Sequence, residues 1–339
     1  MTYQEIQAQS RGQVGPYCKA CPVCNGFGCR NTLPGPGAKG LGTGFIRNYQ
    51  KWQELCVNMD TICENKPVDT TFTWFGQTSD IPVFAAPLGA LPQHYGDKYD
   101  DPTYNDILVS ACAAAGIAAF TGDGIHPETM EGAAKAIARC NGRGVPTIKP
   151  WSKEMIRHKL DLLREAKPFA VAMDIDGAGL PFLKNLQPAA GSKTVAELRE
   201  ISAMVGRPFI LKGIMTVTGA KKALEAGAAG IVVSNHGGRV LDQCPATAEV
   251  LPGIVDAVGK EMTIFVDGGI RSGMDVFKAL ALGADAVLIG RPFVNMIYGA
   301  GPEGVKVYVE KLKEELSDTM AMCGAHSLAD ISRSMLFGY

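Results

Sequence analysis

From about residue 81 the chain alternates short apolar runs with longer amphipathic stretches. The apolar runs fall at residues 81–86, 117–121, 145–149, 169–174, 208–212, 230–234, 263–267 and 286–290. They are rich in Val, Ile, Phe and Ala, with little polar alternation, the pattern of strands buried on both faces of a parallel sheet. Between them lie stretches with helical periodicity, such as 216–227 and 272–283. Each ends on a glycine suited to the left-handed position that closes a helix. Eight strands alternating with eight helices predict an α/β fold, a (β/α)8 TIM barrel, and residues 81–339 are close to the ~250 residues such a barrel needs.

An internal repeat supports this reading. Lys222-Ala-Leu-x-x-Gly-Ala228 recurs as Lys278-Ala-Leu-x-x-Gly-Ala284, so two helix–strand units share one register. A doubly wound open sheet is disfavoured, because Pro87-Leu88-Gly89-Ala90 stands where a Gly-x-Gly-x-x-Gly turn would open the first βα unit.

Composition narrows the function. Thirty-three basic against 34 acidic residues give a net charge of −1, without the basic excess expected of a nucleic-acid or membrane-surface protein. No apolar run is long enough to span a bilayer and the polar first ten residues lack a signal-peptide core, so a cytoplasmic protein is expected. Glycine, 40 of 339 residues, suits many tight strand-to-helix loops.

Barrels carry their chemistry at the C-terminal strand ends. There this sequence places Lys149 and Trp151, Asp174 and Asp176, Lys212, Ser234 to Arg239, Asp267 to Arg271, and Gly290-Arg291, whereas the opposite ends offer Ile, Pro and Val. His236, just past an apolar run and flanked by Gly237 and Gly238, is placed as a general base, with Arg239 able to hold a carboxylate in bidentate fashion. Asp267-Gly268-Gly269-Ile270-Arg271 and Gly290-Arg291 carry glycines that let backbone amides approach an anion and arginines that pair with phosphate. Lys212 would be costly to bury without an anion; it reads either as a Schiff-base lysine or, preferably, as a stabiliser of negative charge on a reduced cofactor ring. His94, His126 and His158 read as surface or loop histidines.

These motifs closely resemble the FMN-dependent 2-hydroxy-acid oxidase and dehydrogenase family, which includes glycolate and lactate oxidases. The resemblance rests on Ser234-Asn-His-Gly-Gly-Arg239, Lys212-Gly213, Asp267-Gly-Gly-Ile-Arg271, Gly290-Arg291-Pro292, the stretch 275–284 and the stretch 327–334. It covers about residues 55–339 and is strongest after 205. It implies an enzyme that oxidises a 2-hydroxy acid to a 2-oxo acid with FMN: His236 as base, Asp176 supporting its charged form, Arg239 clamping the carboxylate and Lys212 beside the flavin. It further implies that Pro87, Leu88 and Gly89 lie against the ring. Thr121, Gly122, Lys149, Ser234, His236, Gly237, Asp267, Gly268, Gly269, Arg271, Gly290 and Arg291 complete the cofactor contacts. A non-redox isomerase on the same barrel is the alternative. Relatives of this family are often tetramers, which implies a homo-oligomer.

The chain departs from the family at the substrate side. Lys149-Pro150-Trp151 replaces a Gln-x-Tyr, which makes Trp151 a candidate substrate contact. Asp174 replaces a threonine, Gly177-Ala-Gly-Leu180 stands where a second carboxylate-binding arginine belongs, and the N-terminal tyrosine is not recognisable. The loop from Gly177 to about Gly191 is short.

Four of the ten cysteines form Cys18-x2-Cys21-x2-Cys24-x4-Cys29. A cytosolic cluster of this kind points to metal rather than disulfides. Three thiols at successive spacings of three resemble [4Fe–4S] ligation, while Cys21-Pro-Val-Cys24 also looks like one zinc knuckle. A cluster here could pass electrons from the flavin to an acceptor protein; unligated or regulatory thiols are the remaining reading. The Gly/Pro-rich run 31–44 reads as a linker, so residues 1–50 form a cysteine-rich segment with its linker and 51–339 the FMN-binding barrel.

Overall fold

The computed structural model describes residues 1–30, 40–180, 183 and 190–339. Its frame is an eight-stranded parallel sheet with helices in the crossovers. The strands are β3 (Val83–Ala85), β4 (Phe120–Thr121), β5 (Val145–Ile148), β6 (Val171–Asp174), β7 (Phe209–Ile214), β8 (Gly230–Val233), β9 (Thr263–Asp267) and β10 (Ala286–Ile289). Their order is β3-β10-β9-β8-β7-β6-β5-β4, and a parallel bridge between Ala85 and Ala119 brings the two ends together. This is the TIM-barrel fold that the alternation predicts, and all eight apolar runs carry a strand.

Although the runs do not alternate in polarity, they alternate in what they touch. Ala172, Ile210, Val232, Phe265 and Leu288 point into the barrel, while Val171, Leu211, Ile231, Val266 and Val287 pack beneath the helices. Both faces exclude water, so neither demands a polar residue.

The repeat emerges as two equivalent units. Helices Val217–Glu225 and Gly273–Ala281 both stop at left-handed glycines, Gly227 (φ +81°) and Gly283 (φ +100°). Ser272 caps the second by accepting from the Asp275 amide.

Elements before residue 81 close the two ends. The antiparallel hairpin β1 (Phe72–Trp74) and β2 (Gln77–Ser79) puts Trp74 against Phe84, Phe169 and Phe265 at the N-terminal end, with ring centroids 4.4, 4.7 and 5.3 Å away. At the other end, helix α2 (Thr43–Glu54) lies over the loops after β8 and β9. The division expected at residue 50 therefore falls inside a helix: Asn48 and Trp52 are both buried, and only part of the apolar face of α2 lies before that point. Of the expected linker, 31–39 lies outside the described residues, as do 181–182 and 184–189 of the loop after β6. Helix α1 (Tyr3–Ser10), closed by a Thr2/Glu5 capping box, packs its fully buried Ile6 against the long helix Arg291–Met322. No helix among the described residues is long and apolar enough to cross a membrane.

Candidate active site

Continuing the inward alternation by one step carries each strand to the mouth. Ala172 leads to Asp174, Ile210 to Lys212 and Phe265 to Asp267, all buried. Asp174 accepts from Lys149 Nζ and, at 3.2 Å, from Lys212 Nζ; Asp267 Oδ2 lies 3.8 Å from Lys212. Burial opposes ionisation of Asp174, but the two ammonium groups outweigh it and hold its carboxyl well below the usual range. Burial likewise opposes the charge on Lys212, yet Asp174, Asp176 and Asp267 raise its pKa above that of an ordinary lysine. Lys212 is therefore a fixed cation rather than a nucleophilic amine, which removes the Schiff-base reading.

The loop after β8 is turned inward by three successive left-handed residues, His236 (φ +57°), Gly237 (+63°) and Gly238 (+74°). Ser234 Oγ accepts from the His236 amide at 3.1 Å, and Asn235 Oδ1 accepts from the Gly238 amide at 3.2 Å. His236 Nδ1 thereby stands 3.1 Å from Asp176 Oδ1 and 3.5 Å from Asp174 Oδ1. Asp176 needs Gly213 (φ +102°) opposite it, since a Cβ there would strike its carboxyl group. Burial, then the cations Lys212, Lys149 and Arg239, lower the His236 pKa well below the usual histidine value, against the pull of Asp174. Burial and neighbouring Asp174 raise that of Asp176. The imidazole thus rests neutral, as a base must, with Nε2 the ring nitrogen left for the cavity.

Arg239 is buried, and burial lowers its pKa to about 10, so it keeps its charge at neutral pH. Its Nη2 lies 3.3 Å from His94 Nε2. A guanidinium can only donate, so Nε2 accepts and the His94 proton sits on Nδ1. Burial, with Arg239 and Arg291 adding to it, lowers His94 to about 3, which keeps this ring neutral. His94 is 7% exposed, so the expectation of a surface or loop histidine is corrected for it. It lies on the short helix Leu91–Tyr95 beyond β3, whose packing buries it beside the guanidinium. His126 and His158 are exposed.

Two adjoining cavities meet at Pro87, Leu88, His236 and Arg239. The first also reaches Gly89, Gly122, Lys149 and Asp174. There the Leu88 and Gly122 backbones approach so closely that a Cβ at 122 could not be accommodated. The second runs to Gly237, Lys212, Asp267, Gly268, Gly269, Arg271, Gly290 and Arg291. Its wall comes partly from α2: Phe45 lies beneath Arg291 (4.0 Å from guanidinium carbon to ring centre), Asn48 exchanges hydrogen bonds with Asn235 at 2.7 and 2.9 Å, and Trp52 Nε1 donates to Gly268 O at 2.8 Å. Buried polar atoms without a hydrogen-bond partner among the described residues include Arg291 Nη1, Asp267 Oδ1, Thr121 Oγ1 and Thr147 Oγ1. That set fits a ligand with a polar ring at the barrel mouth and an anionic tail between the last two loops.

The structure brings His236, Asp176, Lys212, Arg239, Lys149 and the segment 87–89 together at one mouth. Thr121 and Ser234 are buried behind the linings of both cavities, and Trp151 lies apart from them. Its indole lines neither cavity; Nε1 donates to Asp123 Oδ2 at 2.5 Å, and Lys159 Nζ both donates to Asp123 Oδ1 at 2.8 Å and sits over the Trp151 ring. The structure therefore does not support the expected substrate contact: Trp151 packs behind the cavity, where the buried Asp123 carboxylate takes its indole N–H. Sequence reasoning missed Asp123, Lys159, His94 and Phe45. Only His94 left a trace, as a histidine close behind the Pro87 segment.

Among the described residues, ligating atoms close enough to share one metal ion belong to Asp174, Asp176 and His236. Lys149 and Lys212 already supply the countercharge there. The thiols of Cys18, Cys21, Cys24 and Cys29 do not form such a group among the described residues.

A model of the FMN-dependent dehydrogenase family matches residues 36–181 and 180–337, and the chain belongs to this family. The L-lactate oxidase of Roseobacter sp. (strain GAI101) is 47% identical over 146 residues, 43% of this chain and 40% of that protein. Glycolate oxidase of Spinacia oleracea is 47% identical over 142 residues, 42% and 38% of the two chains. These alignments span about two fifths of the length of the curated relatives. Among solved structures, mandelate oxidase with benzoyl-formic acid superposes with a TM-score of 0.78 at 27% identity, covering 99% of this chain and 97% of that one.

Proposed function

We propose that this protein oxidises a 2-hydroxy acid to the 2-oxo acid with FMN in the two joined cavities. One observation carries the reading: a neutral, carboxylate-backed His236 and a charged Arg239 open onto the same space, directly beside Pro87–Gly89 and above the Lys212 cation. Relatives named lactate, glycolate and mandelate oxidase support it, and they do not favour the isomerase alternative.

When bound, FMN supplies the two-electron acceptor. Arg239 holds the substrate carboxylate as a charge-assisted pair, with His94 fixing the guanidinium from behind. His236 removes the proton on the cavity side, and Asp176 and Asp174 meet the charge that arrives on its ring. Lys212, held by Asp174, keeps a permanent positive charge at the mouth, ready for negative charge developing above it. Lys149, Thr121, Ser234 and Asp267 would hold the polar ring and ribityl chain, and Arg271, Arg291, Gly269 and Gly290 the phosphate. Cys18, Cys21, Cys24 and Cys29 serve as metal ligands, and electrons pass from the flavin to oxygen or, through that metal site, to another acceptor. The enzyme works as a homo-oligomer in the cytoplasm.

Anaerobic mixing of the FMN-loaded protein with a panel of 2-hydroxy acids tests the proposal. Loss of the oxidised-flavin absorbance with at least one acid, and formation of its 2-oxo acid, is expected. An oxidised spectrum that survives every acid, in protein that carries FMN, would overturn it.

A further inference from the structure

We infer that Cys18, Cys21, Cys24 and Cys29 hold a [4Fe–4S] cluster against the anion-binding end of the cofactor cavity. The spacing supplies four thiols on a short loop, as cubane ligation by cysteine requires. The fold gathers that loop rather than leaving it extended. Gln7 Nε2 donates to Cys21 O at 2.7 Å, Arg11 Nε donates to Ala20 O at 3.2 Å, and Arg271 Nε donates to Cys24 O at 2.9 Å. The chain reverses at left-handed Ala20 and Gly26, and Gly28 leaves room for the Cys21 sulfur, which lies 2.9 Å from where a Cβ would stand. Cys18 Sγ reaches Asn295 Oδ1 at 3.6 Å, one turn beyond Arg291.

Cys18, Cys21 and Cys24 carry free thiols. A cubane with four thiolates carries net negative charge, and Arg291 and Arg271 flank the loop with the compensating cations. Cys18 is buried, while Cys21, Cys24 and Cys29 are partly exposed, so iron and sulfide can enter from one side.

This assignment does not depend on which substrate the barrel takes. The test is metal and acid-labile sulfide analysis of the full chain purified without air, with an electron paramagnetic resonance spectrum after reduction. About four irons and four sulfides per chain are expected, with a cluster signal in the reduced protein. Cys21→Ser with Cys24→Ser should lose the iron and the signal, while Cys56→Ser with Cys63→Ser keeps both. Zinc in place of iron, metal-free protein, or iron that survives the Cys21/Cys24 double substitution would overturn the assignment. Should that double variant fail to fold, iron and sulfide in the unaltered chain decide the matter alone.

Discussion

The two ends of the barrel are built from opposite materials. At the N-terminal end, Trp74 is sealed into an aromatic cluster with Phe84, Phe120, Phe169 and Phe265. At the C-terminal end, strands of the same barrel finish in Lys149, Asp174, Lys212 and Asp267, equally buried but ionised or polar. The first end gains stability from removing apolar surface from water. Charges removed from water cost stability unless each finds its partner. A barrel that tolerates the second arrangement has spent folding energy on a preset field, the signature of a site rather than of packing.

Breaking each end should separate stability from chemistry. The largest loss is expected for Asp174→Leu, which leaves the buried Lys149 ammonium without its carboxylate and Lys212 with only the longer contact to Asp267; removing one partner of a buried ion pair costs about 3–5 kcal/mol. Urea unfolding measures it, and a loss under 1 kcal/mol would mean the lysines are paired elsewhere. Trp74→Ala at the other end should cost about 3 kcal/mol by cavity formation, yet leave FMN affinity unaltered. Loss of FMN at native temperature in that variant would show that the two ends are coupled. A smaller effect is expected behind the carboxylate clamp. His94→Leu removes the acceptor for Arg239 and should raise KM for a hydroxy acid about tenfold, whereas His94→Gln, which can still accept, should stay close to the unaltered enzyme. Equal effects of both would reduce His94 to a space-filling role.

The smallest effect is a displacement along the pH axis. His236 must be neutral to act, and its pKa is lowered in the fold, so it stays unprotonated as pH falls past the ordinary histidine value near 6.5. The acid limb of kcat/KM should therefore lie below about 6.5, and a limb above it would contradict the burial argument. Stability carries the same sign through His94: its folded pKa of about 3 lies below the unfolded one, so protons favour the unfolded chain as pH drops through that window.

How much of this could be read from the sequence follows from the same physics. Strands buried on both faces leave uninterrupted apolar runs, so all eight were legible, and with them the mouth residues at their ends. The hairpin β1–β2 was not: Phe-Thr-Trp and Gln-Thr-Ser are too short and mixed to show a period. Helix α2 hid behind glycines, because its partners Asn235 and Gly268 lie about 200 residues away along the chain. The setting of Trp151 was hidden for the same reason: nothing local shows that Asp123 and Lys159 converge on its indole.

The central claim is that His236 is the base that starts the reaction. Rapid anaerobic mixing of FMN-loaded His236→Ala with the best hydroxy acid addresses it directly. The account predicts bound flavin whose reduction is slowed by about a hundredfold or more, the usual contribution of a positioned base. Reduction at the rate of the unaltered protein would contradict it.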